Sequence, residues 1–600
     1  MNNIEVDFQK VESVVTNDVV HIKYNDQDYT INESKIRRKR SVRIDNFDFS
    51  NEELSYTPIM NGEKKYYIYN TKKSLRITSK LNRIFGRESK LHTFLTKKHF
   101  WFYGTYTDIS NTISDCDNVY LNDKIIGKVF RPFHSKKFKD FAVIKVNVED
   151  VLNSGEIHST IGVGDADGNY INLNLKKKYG GINYYRRKRV GKHYLLIRSV
   201  ATSGNVRLVN ILMQPEYTKW NMFKNFVAHQ LSKIIGKKDI VLMFEKETAK
   251  ANESGYYVFE RLMEENEKNK LNSKVFFVID KYCNDYKKVV EKYPKYTIAK
   301  YSFKHYLYIY ISKYFLSSEL SNHVINPRLY IKSINKEIAK KPLIFLQHGI
   351  MFSKPIDNPA AAGFSKKNPN TNYYKCIISS ELEATQFYKK DFERSDLIKC
   401  GLPKFDISKQ DPNADKILVM LTYRYWEEAL IMNPETIKET TYYEVYIRII
   451  NAFEKNGMLD KLLISCHPKF ADCIIQAAPK YADIVEKDVN RGIENAKIFI
   501  TDYSSASYDA HYRGSYIIYY WEEKDYLIKN YCAIPPINEE NCDGVPVYST
   551  DEMIAEIKKA IANNYVMDPI YEKRYKLINE FSDNRNGERL IKELKELKII

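Results

Sequence analysis

The chain has 600 residues, 44% of them hydrophobic, with only 22 Gly and 18 Pro. That length exceeds one ordinary core and implies two to four folded domains, while the composition excludes a disordered or collagen-like chain. A formal net charge of +18 points to an anionic partner: nucleic acid, an anionic membrane surface or a phosphate-rich substrate. No apolar run is long enough to cross a bilayer, and the start "MNNIEVDFQK" carries no apolar signal core, so a cytoplasmic location is expected. The eight Cys are scattered without CxxC or Cys/His spacing, which predicts reduced thiols and no zinc site.

Residues 1–215 show short alternating runs such as "KKYYIYN" and "FAVIKVNV", separated by turn signals such as "GDADGN". They predict a β-rich accessory region of one or two small domains. Its basic clusters are Arg37–Arg40, Lys176–Lys178 and Arg186–Arg189. A solvated strand edge accounts for any one of them, and several in one region favour an anionic surface. Next, "WNMFKNFVAHQLSKIIGKK" places Trp220, Phe223, Val227, Leu231 and Ile234 or Ile235 at helical spacing among lysines. Such a helix could lie on a membrane, but packing of the apolar stripe on its own domain is the preferred expectation.

From about 239 onward, apolar strands alternate with helical stretches, the pattern of parallel sheets. One series runs from "DIVLMFEKE" to "LIKCGLPKFD". A second begins at "DKILVMLTY", after a joint near 407–416. Two doubly wound, Rossmann-like domains are therefore expected, at 216–410 and 411–600. In such sheets ligands bind beyond the carboxyl ends of the strands, so the residues that follow each apolar run are the candidates. "IFLQHGI" puts His348 at one strand exit, with Gly349 allowing a tight turn or a close approach, and "LLISCHPKF" puts His467 at another. In "AKIFITDYSSASYD", Thr501, Asp502, Ser504 and Ser505 stand between a strand and a helix. The N–H groups there favour an anion and the hydroxyls add donors, whereas Asp502 is suited to accept from a sugar or polyol hydroxyl. "GLPKFD" and "LTYRYW" add Lys404, Thr422 and Arg424 at further strand exits.

There is no GxxxxGK[ST] loop and no GxGxxG after a strand, so ordinary ATP or NAD binding is unsupported. Nor is there a DxD-like acidic pair beside these elements, so no metal is indicated. "QHG" and "HPK" after strands, followed by "TDYSSASYD" at a strand–helix junction, together resemble the CDP-glycerol glycerophosphotransferase family, the polymerases and primases of teichoic acids and related capsules in bacteria. "ESGYYVFERLMEEN" is similar to the helix that precedes the family's first His motif, and "GLPKFD" to its Gly-x-Pro-Arg-x-Asp turn, with Lys404 for the Arg. The resemblance runs from about 240 to the C-terminus.

What it implies is a GT-B glycosyltransferase-like fold whose C-terminal domain holds a CDP-polyol. The polyol phosphate would pass to a hydroxyl of a glycan or lipid-linked acceptor, with release of CMP and with no cofactor. His348 matches the family's proposed base and His467 its second catalytic or phosphate-stabilising His. Ser504 and Ser505 match residues that contact the donor phosphates. Arg424, Thr422, Thr501, Asp502 and Lys404 complete the expected donor side, and Gly349 and Lys354 the acceptor-side loop. The family's His-Gly-Thr-Pro-Leu-Lys departs here to Ile350–Lys354, which leaves glycerol and ribitol donors both open. The alternatives are a nucleotide-sugar transferase on the same fold and a basic nucleic-acid-binding protein, although no RNP1, KH or helix-turn-helix signature supports the latter.

Overall fold

The structure is a computed structural model. It describes residues 12–16, 19–24, 27–32, 36, 42–45, 56–61, 64–71, 74–78, 89–106, 118–133, 141–164, 166, 168, 170–173, 175 and 183–200, and then 205–600 except 269, 270, 359, 360, 362, 363, 432, 433 and 467. Two compact units divide at 218/219.

The first unit is built from antiparallel strands in sheets of three, four, three and seven. Alternation buries one side of strands such as Phe141–Asn147. Two apolar clusters result, one around Ile22, Ile68 and Ile77, the other around Phe102, Ile144, Leu195 and Leu208. Arg186–Arg189 are exposed on Asn183–Val190, at one end of the seven-stranded order. Arg37–Arg40 and Lys176–Lys178 lie outside the described residues.

In the second unit the first parallel sheet contains β1 (Lys238–Phe244), β2 (Lys274–Ile279), β3 (Thr297–Ala299), β4 (Ser312–Ser317), β5 (Pro342–Phe345), β6 (Asn372–Ile378) and β7 (Leu397–Lys399), in the order β3-β2-β1-β4-β5-β6-β7. The second sheet contains β8 (Lys416–Val419), β9 (Leu462–Ile464), β10 (Ala496–Thr501), β11 (Tyr516–Tyr520) and β12 (Val545–Val547), in the order β9-β8-β10-β11-β12. Central strands such as β11, YIIYY, are buried throughout because helices cover both faces. These are the two Rossmann-like domains of the expected GT-B-like arrangement. One apolar cluster runs across both, joining Val241, Phe277 and Leu346 to Phe499, Tyr508 and Ile517.

Helix α1 (Lys219–Ile235) departs from expectation. Its buried residues are Asn221, Asn225 and Ala228. Tyr310 donates to Asn225 Oδ1 at 2.8 Å, Asn225 Nδ2 reaches Ser333 Oγ at 3.4 Å, and His229 stacks on Tyr310. The apolar stripe faces outward instead, with Trp220 66% and Ile234 82% exposed and Phe223 and Phe226 beside them. The expected packing of that stripe on its own domain is thus corrected, because specific hydrogen bonds hold the opposite, polar face.

The remaining helices used below are α2 (Ser254–Lys268), α3 (Glu381–Tyr388), α4 (Thr441–Lys455), α5 (Pro468–Ala477), α6 (Ala506–Tyr512), α7 (Pro569–Ile578) and α8 (Asn586–Glu596). Although it is the last helix, α8 returns to the first sheet's side. Asp406 accepts from Asn586 N and Gly587 N, both at 2.8 Å, at the α8 N-terminus, where a carboxylate is favoured. Gly401 has φ +79°, and a Cβ there would stand 2.1 Å from Asn586 Oδ1, so only glycine fits this crossing.

Candidate functional site

The carboxyl end of β5 builds the first half of the site. Gln347 takes a left-handed conformation, φ +56°, and its side-chain amide donates to Ile377 O on β6. A non-glycine residue held in this region stores strain that its neighbours must offset. The turn projects His348, whose side chain is 54% exposed. Its Nε2 lies 3.3 Å from Glu319 Oε2, and the same oxygen is 3.6 Å from His323 Nε2. Burial tends to raise the Glu319 pKa, but the hydrogen bond and charge of His348 outweigh it and hold the carboxyl below its ordinary value. Burial lowers that of His323.

Two further residues fix the loop. Lys404 Nζ donates to His348 O and lies 3.6 Å from Asp509 on α6 and 3.7 Å from Glu253. Desolvation would lower its pKa, but these two carboxylates raise it, so the cation persists as a clamp between the halves. On the other side, buried Glu383 of α3 accepts from Met351 N at 2.7 Å and Ser379 N at 2.6 Å.

The carboxyl end of β10 supplies the second half. Thr501 Oγ1 donates to Met420 O and accepts from Ser504 N. Asp502, 2% exposed, uses Oδ1 to accept from Thr422 N, Thr422 Oγ1 and Tyr503 N at 2.6–2.7 Å. Because β8 and β10 are neighbours, their exits satisfy each other, and Asp502 and Thr422 tie the floor of the cleft together. Asp502 Oδ2 remains without a partner, beside a small cavity that Arg424, Tyr520 and Glu523 help to line. Arg424 is 1% exposed, bonded to Glu523 and Thr441, with Tyr526 and Tyr442 under its guanidinium. Its charge is therefore answered by Glu523 beneath the site.

Ser504 and Ser505 are half-buried. Ser504 Oγ accepts from Ala506 N, whereas Ser505 makes no side-chain cap to α6, so its hydroxyl is not spent on the helix. A Cβ on Gly349 would stand 3.1 Å from Ser505 Oγ. The His348–Gly349 turn and the Ser504–Ser505 turn, 156 residues apart at the glycine and Ser505, thus meet across the two domains. Lys354 is exposed, but its amine is desolvated enough to lower its pKa, with Asp502 opposing the shift. His467 lies outside the described residues, just before α5.

Glu319 and Glu383 were missed in the sequence. Glu319 ends "YFLSSE", itself a strand exit, and the same rule would have found it. Glu383 stands three residues after the Ser380 cap of α3 and reads as part of a helix start. Among the described residues no His, Cys, Asp and Glu group is placed to hold a metal ion, and no helix is long and apolar enough to cross a membrane. The arrangement presents an exposed imidazole backed by a carboxylate, opposite hydroxyls at a helix start. It suits proton abstraction beside an anionic group.

The family model described as CDP-Glycerol:Poly(glycerophosphate) glycerophosphotransferase matches residues 225–596. The minor teichoic acid biosynthesis protein GgaB of Bacillus subtilis (strain 168) is 23% identical over 392 residues, covering 62% of this chain and 41% of that protein. The chain thus spans about two fifths of the length of this curated relative. Among solved structures, the wall teichoic acid polymerase TagF is similar with a TM-score of 0.41 and 13% identity, over 64% of this chain and 98% of that one. A putative UDP-N-acetylglucosamine 2-epimerase from Listeria monocytogenes gives 0.37 and 10%, over 60% and 96%.

Proposed function

The chain belongs to the CDP-glycerol glycerophosphotransferase family, and from that premise we propose that it transfers glycerol phosphate from CDP-glycerol to a hydroxyl of a teichoic-acid-like acceptor, releasing CMP. The observation that carries this reading is the meeting of His348–Gly349 with Ser505. In this reading, it brings the base of one domain beside the anion-binding turn of the other. His348 takes the proton of the acceptor hydroxyl as that oxygen attacks the glycerol-bearing phosphorus. The Ser504 and Ser505 hydroxyls and the N–H groups at the start of α6 receive the phosphate charge. Phosphoryl transfer depends chiefly on such positioning and charge stabilisation. His467, the second His of the resemblance, is assigned to the same phosphates.

The outward stripe of α1 supports a further part of the reading: the protein works at an anionic membrane surface. Trp220, Phe223, Phe226 and Ile234 would enter the headgroup boundary, with Lys219 and Lys233 facing lipid phosphates.

Purified protein is incubated with a poly(glycerol phosphate) primer and, in turn, CDP-glycerol, CDP-ribitol and UDP-sugars, and the released nucleotide is quantified. CMP from CDP-glycerol is expected, with His348→Ala lowering turnover at least about 100-fold while CDP-glycerol still binds. Turnover of UDP-sugars alone, or an active His348→Ala, overturns the reading.

A further inference from the structure

We propose that Glu319 is the positioning residue of His348, holding its ring in the tautomer protonated on Nε2 so that Nδ1 is the atom that takes the acceptor's proton. This rests on His348 being the base, as argued above.

Three observations converge on it. First, Glu319 is rigidly placed. It leaves β4 with its N–H donated to Ser317 Oγ at 2.9 Å, and that hydroxyl donates to Phe244 O at 2.6 Å. The carboxylate is buried, in contrast to the exposed imidazole it touches. Second, an ionised carboxylate only accepts. With Oε2 3.3 Å from His348 Nε2, the proton of the neutral ring belongs on Nε2. His348 Nδ1 makes no hydrogen bond among the described residues, and its lone pair is open to a substrate. Third, His323 approaches the same oxygen in the matching tautomer. Its Nδ1 accepts from Glu247 N at 3.3 Å, which leaves its own proton on Nε2, facing Glu319 at 3.6 Å. At 3.6 Å His323 stands beyond hydrogen-bonding distance, so the carboxylate oxygen is left to His348 at 3.3 Å.

The other charged groups do not compete for the role. Lys246 acts on Glu319 and His323 through space, and Glu247 on His323. Lys404 binds the carbonyl of His348 and is itself answered by Glu253 and Asp509. Of the carboxylates among the described residues, Glu319 is the one in contact with the ring.

The chemistry balances. A lone pair of the acceptor oxygen forms the new P–O bond, and the hydroxyl proton moves to His348 Nδ1. The electron pair of the breaking P–O bond leaves on the CMP oxygen. The imidazolium so formed keeps its Nε2–H on Glu319, whose negative charge stabilises it as it develops, and the proton later passes to water. The arrangement of carboxylate, imidazole and reacting hydroxyl is one that general-base sites use to fix a tautomer.

The test compares wild type with Glu319→Gln, Glu319→Asp and His348→Ala, using CDP-glycerol, a poly(glycerol phosphate) primer and CMP release. Glu319→Gln preserves shape but removes the charge. We expect kcat to fall about 10- to 100-fold with the KM for CDP-glycerol unchanged. Glu319→Asp retains the charge and should lose less rate than Gln. Thermal melting and calorimetric binding of CDP-glycerol report folding and donor binding, which a merely structural role would change together with kcat, whereas a positioning role lowers kcat with both unchanged. If His348→Ala is inactive but Glu319→Gln matches wild type in kcat, or if the Asp variant recovers no rate over Gln, the role of Glu319 is refuted and the base remains. If His348→Ala is fully active, it is the base reading that fails.

Discussion

Replacing Glu383 by Gln should change how stability depends on pH, and the size follows from its surroundings. The carboxylate is fully buried on α3, with one oxygen on Met351 N and the other on Ser379 N. Burial raises its pKa from 4.5 to about 7, against the pull of those N–H groups. A carboxyl whose folded pKa is raised contributes stability that is fully present below its unfolded value and is lost as pH rises through the folded one. At about 1.4 kcal/mol per pH unit, the interval from 4.5 to about 7 corresponds to a loss on the order of 3 kcal/mol. Gln cannot ionise, so this loss disappears. Its NH2 must, however, face one of the two backbone donors, and a buried unpaired N–H costs about 1–3 kcal/mol. The variant should therefore be less stable than wild type near pH 5, with the gap closing or reversing near pH 8. Urea midpoints read from tryptophan fluorescence at both pH values check this. Glu245, whose pKa burial raises to about 8, is present in both proteins and cancels. A gap of equal size at both pH values would refute the assignment.

Two other outcomes are expected. Changing Trp220, Phe223 and Ile234 together to Ser removes side chains worth about 1.5–3 kcal/mol each when buried. Flotation with phosphatidylglycerol vesicles should then fall more than about tenfold, and an unchanged bound fraction rejects α1 as the contact. His511 of α6 lies between Asp543 at 2.8 Å and Glu572 of α7 at 3.2 Å, stacked on Tyr575. Burial tends to lower its pKa, but the two carboxylates outweigh it and raise it to about 9. Its contribution is complete below about pH 6.5 and is lost as pH rises through about 9. His511→Gln should flatten the decline in melting temperature over that interval, and a decline as steep as wild type's would count against it.

The parallel sheets were legible because strands buried on both faces leave continuous apolar runs, and the strand-exit rule located the His348 and Ser504–Ser505 turns. The same rule could not tell which exit groups would face substrate. Asp502, Thr422 and Arg424 stand at adjacent exits and bond to one another's surroundings, a lateral pairing that sequence spacing does not encode. In α1 the apolar period was plain, but its direction was not. A few hydrogen bonds from Asn225 and the stacking of His229 decide which face is buried. Glu319 escaped notice because its partner, His348, is 29 residues away in sequence and comes close only through β4–β5 pairing.

The return of α8 means that the chain crosses between the two domains twice. Asp406 accepts from Asn586 N and Gly587 N, and Arg589 donates to Cys400 O, so α8 moves with the first domain, and the two domains can separate only by bending at both crossings, the 407–416 joint and the stretch that leads into α8. Opening would also divide an apolar cluster shared by both sheets. A wide hinge is therefore disfavoured, and traffic into the cleft falls to side chains and short turns. In the proposed reaction, donor binding would then need little reorganisation, and product escape would be set by local rather than domain-scale motion.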